Sequence, residues 1–253
     1  MILLLDIGNT SIKIALYNQI KNKFIKNFSL LTHSKKSISS IVSFAKKNDV
    51  KYVLATSVVP KIYAVLKNKI QNNKVKLYEY KDKIIKKSIK INLKKKSQVG
   101  SDRLVNAFAS LNLYKKNCIV IDFGTTTTFD IADMNNIYQG GIIAPGINLS
   151  LQSLNKFTAK LPLIDISKQK NVIGKDTKSA INSGVFIGYG CLINGIIKKI
   201  MTQSKKKYLV VLTGGYSKLF NKSITFKTII NKDITLYGLA MTVKQNKKVF
   251  SEI

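Results

Sequence analysis

Apolar residues arrive along this chain in two rhythms. Ile2-Leu3-Leu4-Leu5 is an unbroken run stopped by Asp6, which predicts a short buried strand. From Ser11 to Tyr17 the pattern alternates, with Ile12, Ile14 and Leu16 on one face, which predicts a second strand. The helical rhythm takes over at 38–47. Tyr52-Val53-Leu54-Ala55 then reads as a strand ending at Thr56-Ser57, and Pro60 opens a helix over 61–71. A helix over 104–114 carries Leu104, Phe108 and Leu111 on one stripe. Cys118-Ile119-Val120-Ile121 is another buried strand, with a partner strand at 127–131. Residues 140–146 pass from strand to loop, and helices follow at 147–154 and 184–200. Tyr208-Leu209-Val210-Val211-Leu212 runs as a strand into Thr213-Gly214-Gly215, and a last helix covers 238–244. Strands alternating with helices predict an α/β architecture.

Two stretches of this pattern match. The first strand ends in Asp6-Ile7-Gly8-Asn9-Thr10 and the later one in Asp122-Phe123-Gly124-Thr125-Thr126, each followed by a second strand. Apolar strand, Asp, any residue, Gly, polar turn, strand: the echo suggests a duplicated domain. Gly8 and Gly124 remove side chains where a tight turn must bring backbone N–H groups against an anion, and Asn9, Thr10, Thr125 and Thr127 add donors beside them. Two such hairpins suit a polyphosphate. Gly214-Gly215 is a third glycine turn after a buried strand, suited to a flat ring or a phosphate. A single turn of this kind is more often only a turn; three of them after buried strands say more.

Composition narrows the chemistry. With 253 residues and 45% hydrophobic content the chain can bury a large core, as one domain or two. No apolar run approaches membrane-spanning length and no secretory signal pattern opens the chain, so a cytoplasmic protein is expected. Cys118 and Cys191 sit in apolar runs without a CxxC pattern and read as buried small hydrophobes. His33, the only histidine, lies in a polar stretch and reads as solvated, which argues against histidine catalysis and zinc sites. The net charge of +31 attracts polyanions, yet the lysines are dispersed and lack interleaved aromatics, which argues against specific nucleic-acid binding.

Scarcity marks the remaining candidates. Arg103 is the only arginine among 43 basic residues, which points to a place where lysine fails: a planar fork gripping a carboxylate or phosphate. Gly100-Ser101-Asp102-Arg103 reads as a loop delivering a carboxylate and a guanidinium just before a helix. Asp and Glu total 12. Asp6 and Asp122 each end an apolar run and need a partner there, for which a metal ion is suited. Asp102 is placed to accept a proton from a hydroxyl nucleophile. Asp130 and Asp133 read as turn or surface residues. Gly174-Lys175-Asp176-Thr177 is a polar turn ahead of a helix, with a helix cap as its plain reading.

Taken together, these segments resemble the type III pantothenate kinases of the actin-like, sugar-kinase and Hsp70 ATPase superfamily. The match runs through Asp6-Ile7-Gly8-Asn9-Thr10, Ser57-Val58-Val59-Pro60, Val99-Gly100-Ser101-Asp102-Arg103, Asp122-Phe123-Gly124-Thr125-Thr126-Thr127-Thr128 and Gly140-Gly141-Ile142-Ile143-Ala144-Pro145-Gly146. It continues through Thr158-Ala159-Lys160-Leu161-Pro162, Gly174-Lys175-Asp176-Thr177 and Leu212-Thr213-Gly214-Gly215. The resemblance implies duplicated actin-like (ribonuclease H-like) α/β domains with a cleft between them, here divided as 1–115 and 116–253. It implies phosphorylation of pantothenate by ATP to 4'-phosphopantothenate, the first step of coenzyme A biosynthesis, in a homodimer using magnesium and a monovalent cation, potassium or ammonium. By the same resemblance Asp6, Ile7, Gly8, Asn9, Thr10, Ser11, Ile12, Lys13 and Thr125 bind ATP, with Asp6 near magnesium-ATP. Gly100, Ser101, Asp102 and Arg103 contact pantothenate, with Asp102 the catalytic base. Asp122 binds the monovalent cation, and Thr177 reaches the pantothenate site across the dimer interface. Two departures stand out. Leu93 lies where many members have a tyrosine that touches pantothenate, and Thr126 replaces the usual alanine of the second hairpin. The competing classes are another phosphotransferase or phosphohydrolase of the superfamily, and a non-enzymatic transcription accessory factor of the same fold.

Overall fold

Residues 1–87 and 89–251 are described in a computed structural model, and their contacts group into two units. The first is Met1–Asn112 together with Asp233 and the residues after it; the second is Leu113–Lys232. The sequence reading divides the chain at 115/116 and leaves the last helix in the second domain, whereas its contacts place it in the first unit.

The first unit is built on strands β1 (Ile2–Ile7), β2 (Ser11–Asn18), β3 (Lys23–Leu31), β4 (Tyr52–Ser57) and β5 (Lys76–Glu79), in the order β3-β2-β1-β4-β5. β2 is antiparallel to β1 and β3, while β4 runs parallel to β1 and β5. Helices α1 (Ser37–Lys47) and α2 (Pro60–Gln71) supply the parallel crossovers. Because side chains alternate along a strand, Leu3, Leu5 and Ile7 form a core with Ile12, Ile14, Ile41, Leu66 and Ile70, and Asp6 turns to the other face. After a two-residue strand β6 (Lys90–Ile91) comes α3 (Ser101–Tyr114).

The second unit carries β7 (Cys118–Phe123), β8 (Thr126–Asp133), β9 (Ile137–Pro145), β10 (Leu209–Gly214) and β11 (Thr228–Ile230), in the order β11-β10-β7-β8-β9. Its helices are α4 (Ile147–Lys156), α5 (Thr177–Ser204) and the short α6 (Ser217–Phe220). Ile119, Ile121, Phe129, Val210 and Leu212 pack with Ile181, Val185, Ile193 and Ile197 of α5. Phe220 stacks on Phe123 with ring centroids 5.5 Å apart. The chain returns to the first unit as α7 (Ile234–Gln245), which packs on β1, β2 and β4, and ends in α8 (Lys247–Phe250).

The echo of the two hairpins holds in three dimensions and extends further than the sequence shows. Asp6 lies opposite Thr56 across the parallel β1–β4 pair, and Asp122 lies opposite Thr213 across the parallel β7–β10 pair. Both threonines are fully buried.

Several local expectations change. α3 begins at Ser101, so Ser101, Asp102 and Arg103 form its first turn and are not a loop. α5 is longer than the predicted 184–200 and is long and apolar enough to cross a membrane by length and composition, contrary to the reading that no run approaches that length. Its apolar side chains instead fill the second core. Cys118 is buried as expected, but Cys191 is exposed, because it falls on the outer face of α5 beside exposed Gly184, Gly188 and Gly195. Asp130 and Asp133 are buried, each with partners: Tyr138 Oη donates to Asp130 at 2.8 Å, and Lys206 Nζ lies 3.4 Å from Asp133.

Candidate functional site

In the first unit, the β1–β2 turn is closed by Gly8 N donating to Ser11 O at 3.0 Å. Buried Thr32 braces it, donating its hydroxyl to Gly8 O at 2.6 Å and its backbone N–H to Thr10 O at 3.0 Å. Asn9 and Thr10 are exposed at the tip, and Lys13 sits opposite Asp6 in the β1–β2 register. Ile7 and Ile12 are fully buried, so only their backbone can face a phosphate. Asp6, half-buried at the end of β1, accepts from Thr56 Oγ1 at 3.0 Å.

The start of α3 brings a second carboxylate toward the first. Burial pushes the Asp102 carboxyl up to about 6, and the nearby Asp6 charge adds to this; the backbone N–H and guanidinium of Arg103 pull the other way. Among the described residues, Asp102 Oδ1 is buried with no hydrogen-bond partner. A Cβ on Gly100 would lie 2.3 Å from that oxygen, so any other residue there would displace the Asp102 carboxylate. Ser101 is buried, and its Oγ receives a hydrogen bond from Ser57 N at 3.4 Å. Leu93 is half-buried upstream of this turn.

In the second unit, Gly124 N donates to Thr126 O at 3.1 Å, closing the second hairpin, and Thr125 is exposed at its tip. Thr127, expected as a donor there, is fully buried opposite Phe123, and its hydroxyl has no partner among the described residues. Asp122 ends β7. The third glycine turn closes over it: Gly214 has φ +83°, and a Cβ on it would lie 2.5 Å from Asp122 Oδ1 and 2.6 Å from Phe123 N. Gly215 N donates to Phe123 O at 3.1 Å.

Asp176 caps α5. Its carboxylate accepts from Ser179 N at 2.9 Å while Ser179 Oγ accepts from Asp176 N at 3.1 Å, a reciprocal capping box. These bonds, with Ser179 first among the causes, hold the Asp176 carboxyl below its usual range. Thr177 is thereby fixed as the exposed first residue of α5.

No cluster of three or more His, Cys, Asp or Glu side chains that could cage a metal occurs among the described residues. Asp6 and Asp122, one in each unit, are each a single carboxylate of the kind that could accompany a cation held mainly by phosphate oxygens. The sequence reading gives Thr32, Thr56 and Thr213 no role. The last two end strands where aspartates were sought, and their register opposite Asp6 and Asp122 is the signal that reveals them.

Solved structures establish the fold. A Campylobacter jejuni protein described as a Baf family transcriptional activator matches with a TM-score of 0.65 at 22% identity, covering 97% of this chain and 99% of its own. A 2-dehydro-3-deoxygalactonokinase from Sinorhizobium meliloti matches with a TM-score of 0.60 at 9% identity, covering 97% and 96%. The fold is the two-domain actin-like fold of the sugar kinases. Sequence comparison is more specific. The pattern of the type III pantothenate kinases matches residues 2–199. Proteins of that name are 43% identical in Pelagibacter ubique, over 94% of this chain and 97% of the relative, and 34% identical in Listeria monocytogenes, over 98% of each. The chain belongs to the type III pantothenate kinase family.

Proposed function

We propose that this protein transfers the γ-phosphoryl group of ATP to the terminal hydroxyl of pantothenate, with Asp102 as the general base. Membership of the family supports the reaction, and one observation carries the base: a buried carboxylate oxygen without a partner, on a group raised to about 6. Such an oxygen has the geometry to take a hydroxyl proton and a basicity closer to neutrality than an ordinary carboxylate. The pantothenate oxygen bonds to the γ-phosphorus, the bond to the bridging oxygen breaks, ADP departs, and the proton rests on Asp102.

Gly8 to Lys13 present backbone N–H groups and one ammonium to the phosphates, and Thr125 contributes from the second hairpin. Arg103, on the helix turn beside the base, holds the substrate carboxylate. Asp6 stands near magnesium-ATP and Asp122 takes potassium or ammonium. The magnesium, when bound, offsets the charge that accumulates on the phosphates. A homodimer supplies Thr177 to the partner's site. Exposed apolar Leu163, which lines the same depression as Asp176, and Val172 and Ile173 just before that turn support a covered surface there.

ADP release is followed with and without pantothenate, in potassium, ammonium or sodium. Turnover should require pantothenate and fall in sodium alone. Asp102→Asn should lower kcat by about two to four orders of magnitude with ATP binding intact. Pantothenate-independent turnover, or a fall of less than about tenfold, would overturn the assignment.

A further inference from the structure

We infer that a lysine-rich surface of the first unit docks on an anionic lipid bilayer. Half of the residues from Lys81 to Lys96 are lysine, against about one in six over the whole chain. Asp82 is the only acidic residue in that stretch, and its carboxylate accepts Glu79 N at 2.9 Å. Folding adds to the stretch. Buried Asn246, between α7 and α8, grips the backbone of Lys86: its Oδ1 accepts Lys86 N at 2.7 Å and its Nδ2 donates to Lys86 O at 3.1 Å. That clamp sets Lys244, Lys247 and Lys248 beside a residue 160 positions earlier in the chain. Phe250 seats α8 by packing edge-on against Tyr52 and Tyr78, with ring centroids 5.9 and 5.8 Å apart.

The stretch is a fixed surface. Tyr80, Ile85 and Ile89 are buried and hold it to the unit from within. Lys81 Nζ donates to Ser97 O at 3.3 Å, and Lys87 Nζ donates to the carbonyls of Lys81 and Asp82 at 3.0 and 3.2 Å, which folds the stretch on itself. All of its lysines, with the three clamped beside it, are exposed. Apart from Lys81 and Lys87, their side chains have no partner among the described residues. None of them belongs to the machinery proposed for phosphoryl transfer. What covers them is decided by what the surface lacks and by one side chain it carries. Duplex nucleic acid is read by a helix or ribbon in a groove, but the stretch holds only two-residue β6 and a single 3-10 turn at Lys96–Gln98. Single strands need exposed aromatic rings, and Tyr80 and Phe250 are buried. Anionic headgroups ask only for point charges, which lysine supplies. Among these charges Ile84 stands 56% exposed. Such a side chain gains nothing against a phosphate backbone and gains by entering the apolar edge of a bilayer.

Co-sedimentation of the full chain with vesicles tests this, using phosphatidylcholine alone and phosphatidylcholine mixed with phosphatidylglycerol. The protein should bind the mixed vesicles at low salt, leave them at high salt, and ignore the neutral ones. Each lysine near such a surface contributes about fivefold to partition, so replacing Lys94, Lys95 and Lys96 together by Gln should weaken binding about a hundredfold. Ile84→Ser should weaken it about fivefold with the charge unchanged. A control replaces Lys198, Lys199 and Lys222 of the second unit by Gln, all of them exposed. It removes the same charge and should weaken binding less than about fivefold. ATP turnover with pantothenate should stay within about twofold of wild type in every variant, which shows that each is folded. Should the Lys94, Lys95 and Lys96 variant fail that check, Lys247→Gln with Lys248→Gln carries the same test, with an expected loss of more than about tenfold. Absence of binding to the mixed vesicles would overturn the inference. So would equal losses in the control, which would make the whole chain's charge the cause. Binding to duplex DNA at the same salt as tight as to the vesicles, with Ile84→Ser without effect on either, would assign the surface to nucleic acid instead.

Discussion

At the scale of single residues, the proposed role of Asp102 as base sets activity against stability. Its folded value of about 6 lies above the ordinary carboxylate value, so the fold disfavours its ionised form. That cost is absent below about pH 4, grows as pH rises to about 6, and is complete above it, at about 3 kcal/mol or less. Asp102→Asn should thus raise Tm by about 5 °C at pH 8 and change it little at pH 4, while nearly abolishing turnover. The same group predicts an acid limb near pH 6 in pantothenate kcat/KM, since the protonated carboxyl cannot accept the hydroxyl proton. If Arg103 grips the substrate carboxylate as proposed, Arg103→Lys keeps the charge and loses the parallel second bond. It should reduce pantothenate kcat/KM by about ten- to a hundredfold and leave the KM for ATP nearly unchanged. Scarcity and placement single out both residues in the sequence.

At the scale of elements, the third glycine turn gives the sharpest contrast. Gly214→Ala meets both a left-handed backbone and the Asp122 carboxylate, and should cost about 2–4 kcal/mol in urea unfolding. Its neighbour Gly215 has open space around a Cβ, and Gly215→Ala should cost less than about 1 kcal/mol. Strands with apolar runs, β1, β4, β7 and β10, were readable because burial on both faces leaves a continuous signal. β3 was missed since it is an edge strand whose residues are largely exposed, and β5 since four residues carry too little pattern. The true start of α3 was hidden because Ser101, Asp102 and Arg103 are polar and resemble a loop until the helix is seen to include them.

At the scale of the whole molecule, the proposed assembly makes a prediction that no single chain can. If Thr177 completes the partner's site, mixing Asp102→Asn with a Thr177→Ala variant should restore activity through mixed dimers. Random exchange gives about a quarter of the wild-type rate. No recovery after verified exchange of subunits would count against a shared site. The net charge of +31 should weaken such a dimer at low salt, which light scattering can follow. Dispersed lysines gave the sequence no clue to a surface, whereas exposed Phe157, Leu163, Val172 and Ile173 become conspicuous only once the chain is folded.

The return of α7 to the first unit has a consequence for the order in which the protein can be made. The second unit is one continuous stretch and is fully synthesised by Lys232. The first unit's sheet is made much earlier, yet the helix that packs on β1, β2 and β4, with Ile234, Leu236, Leu239 and Val243 buried, is made only after the whole second unit. Domains usually mature from the N-terminus onward. Here the second unit can finish first, and the first unit waits for α7. A chain stopped after Lys232 should therefore show slow amide exchange in β7, β8 and β10 and fast exchange in β1 and β4.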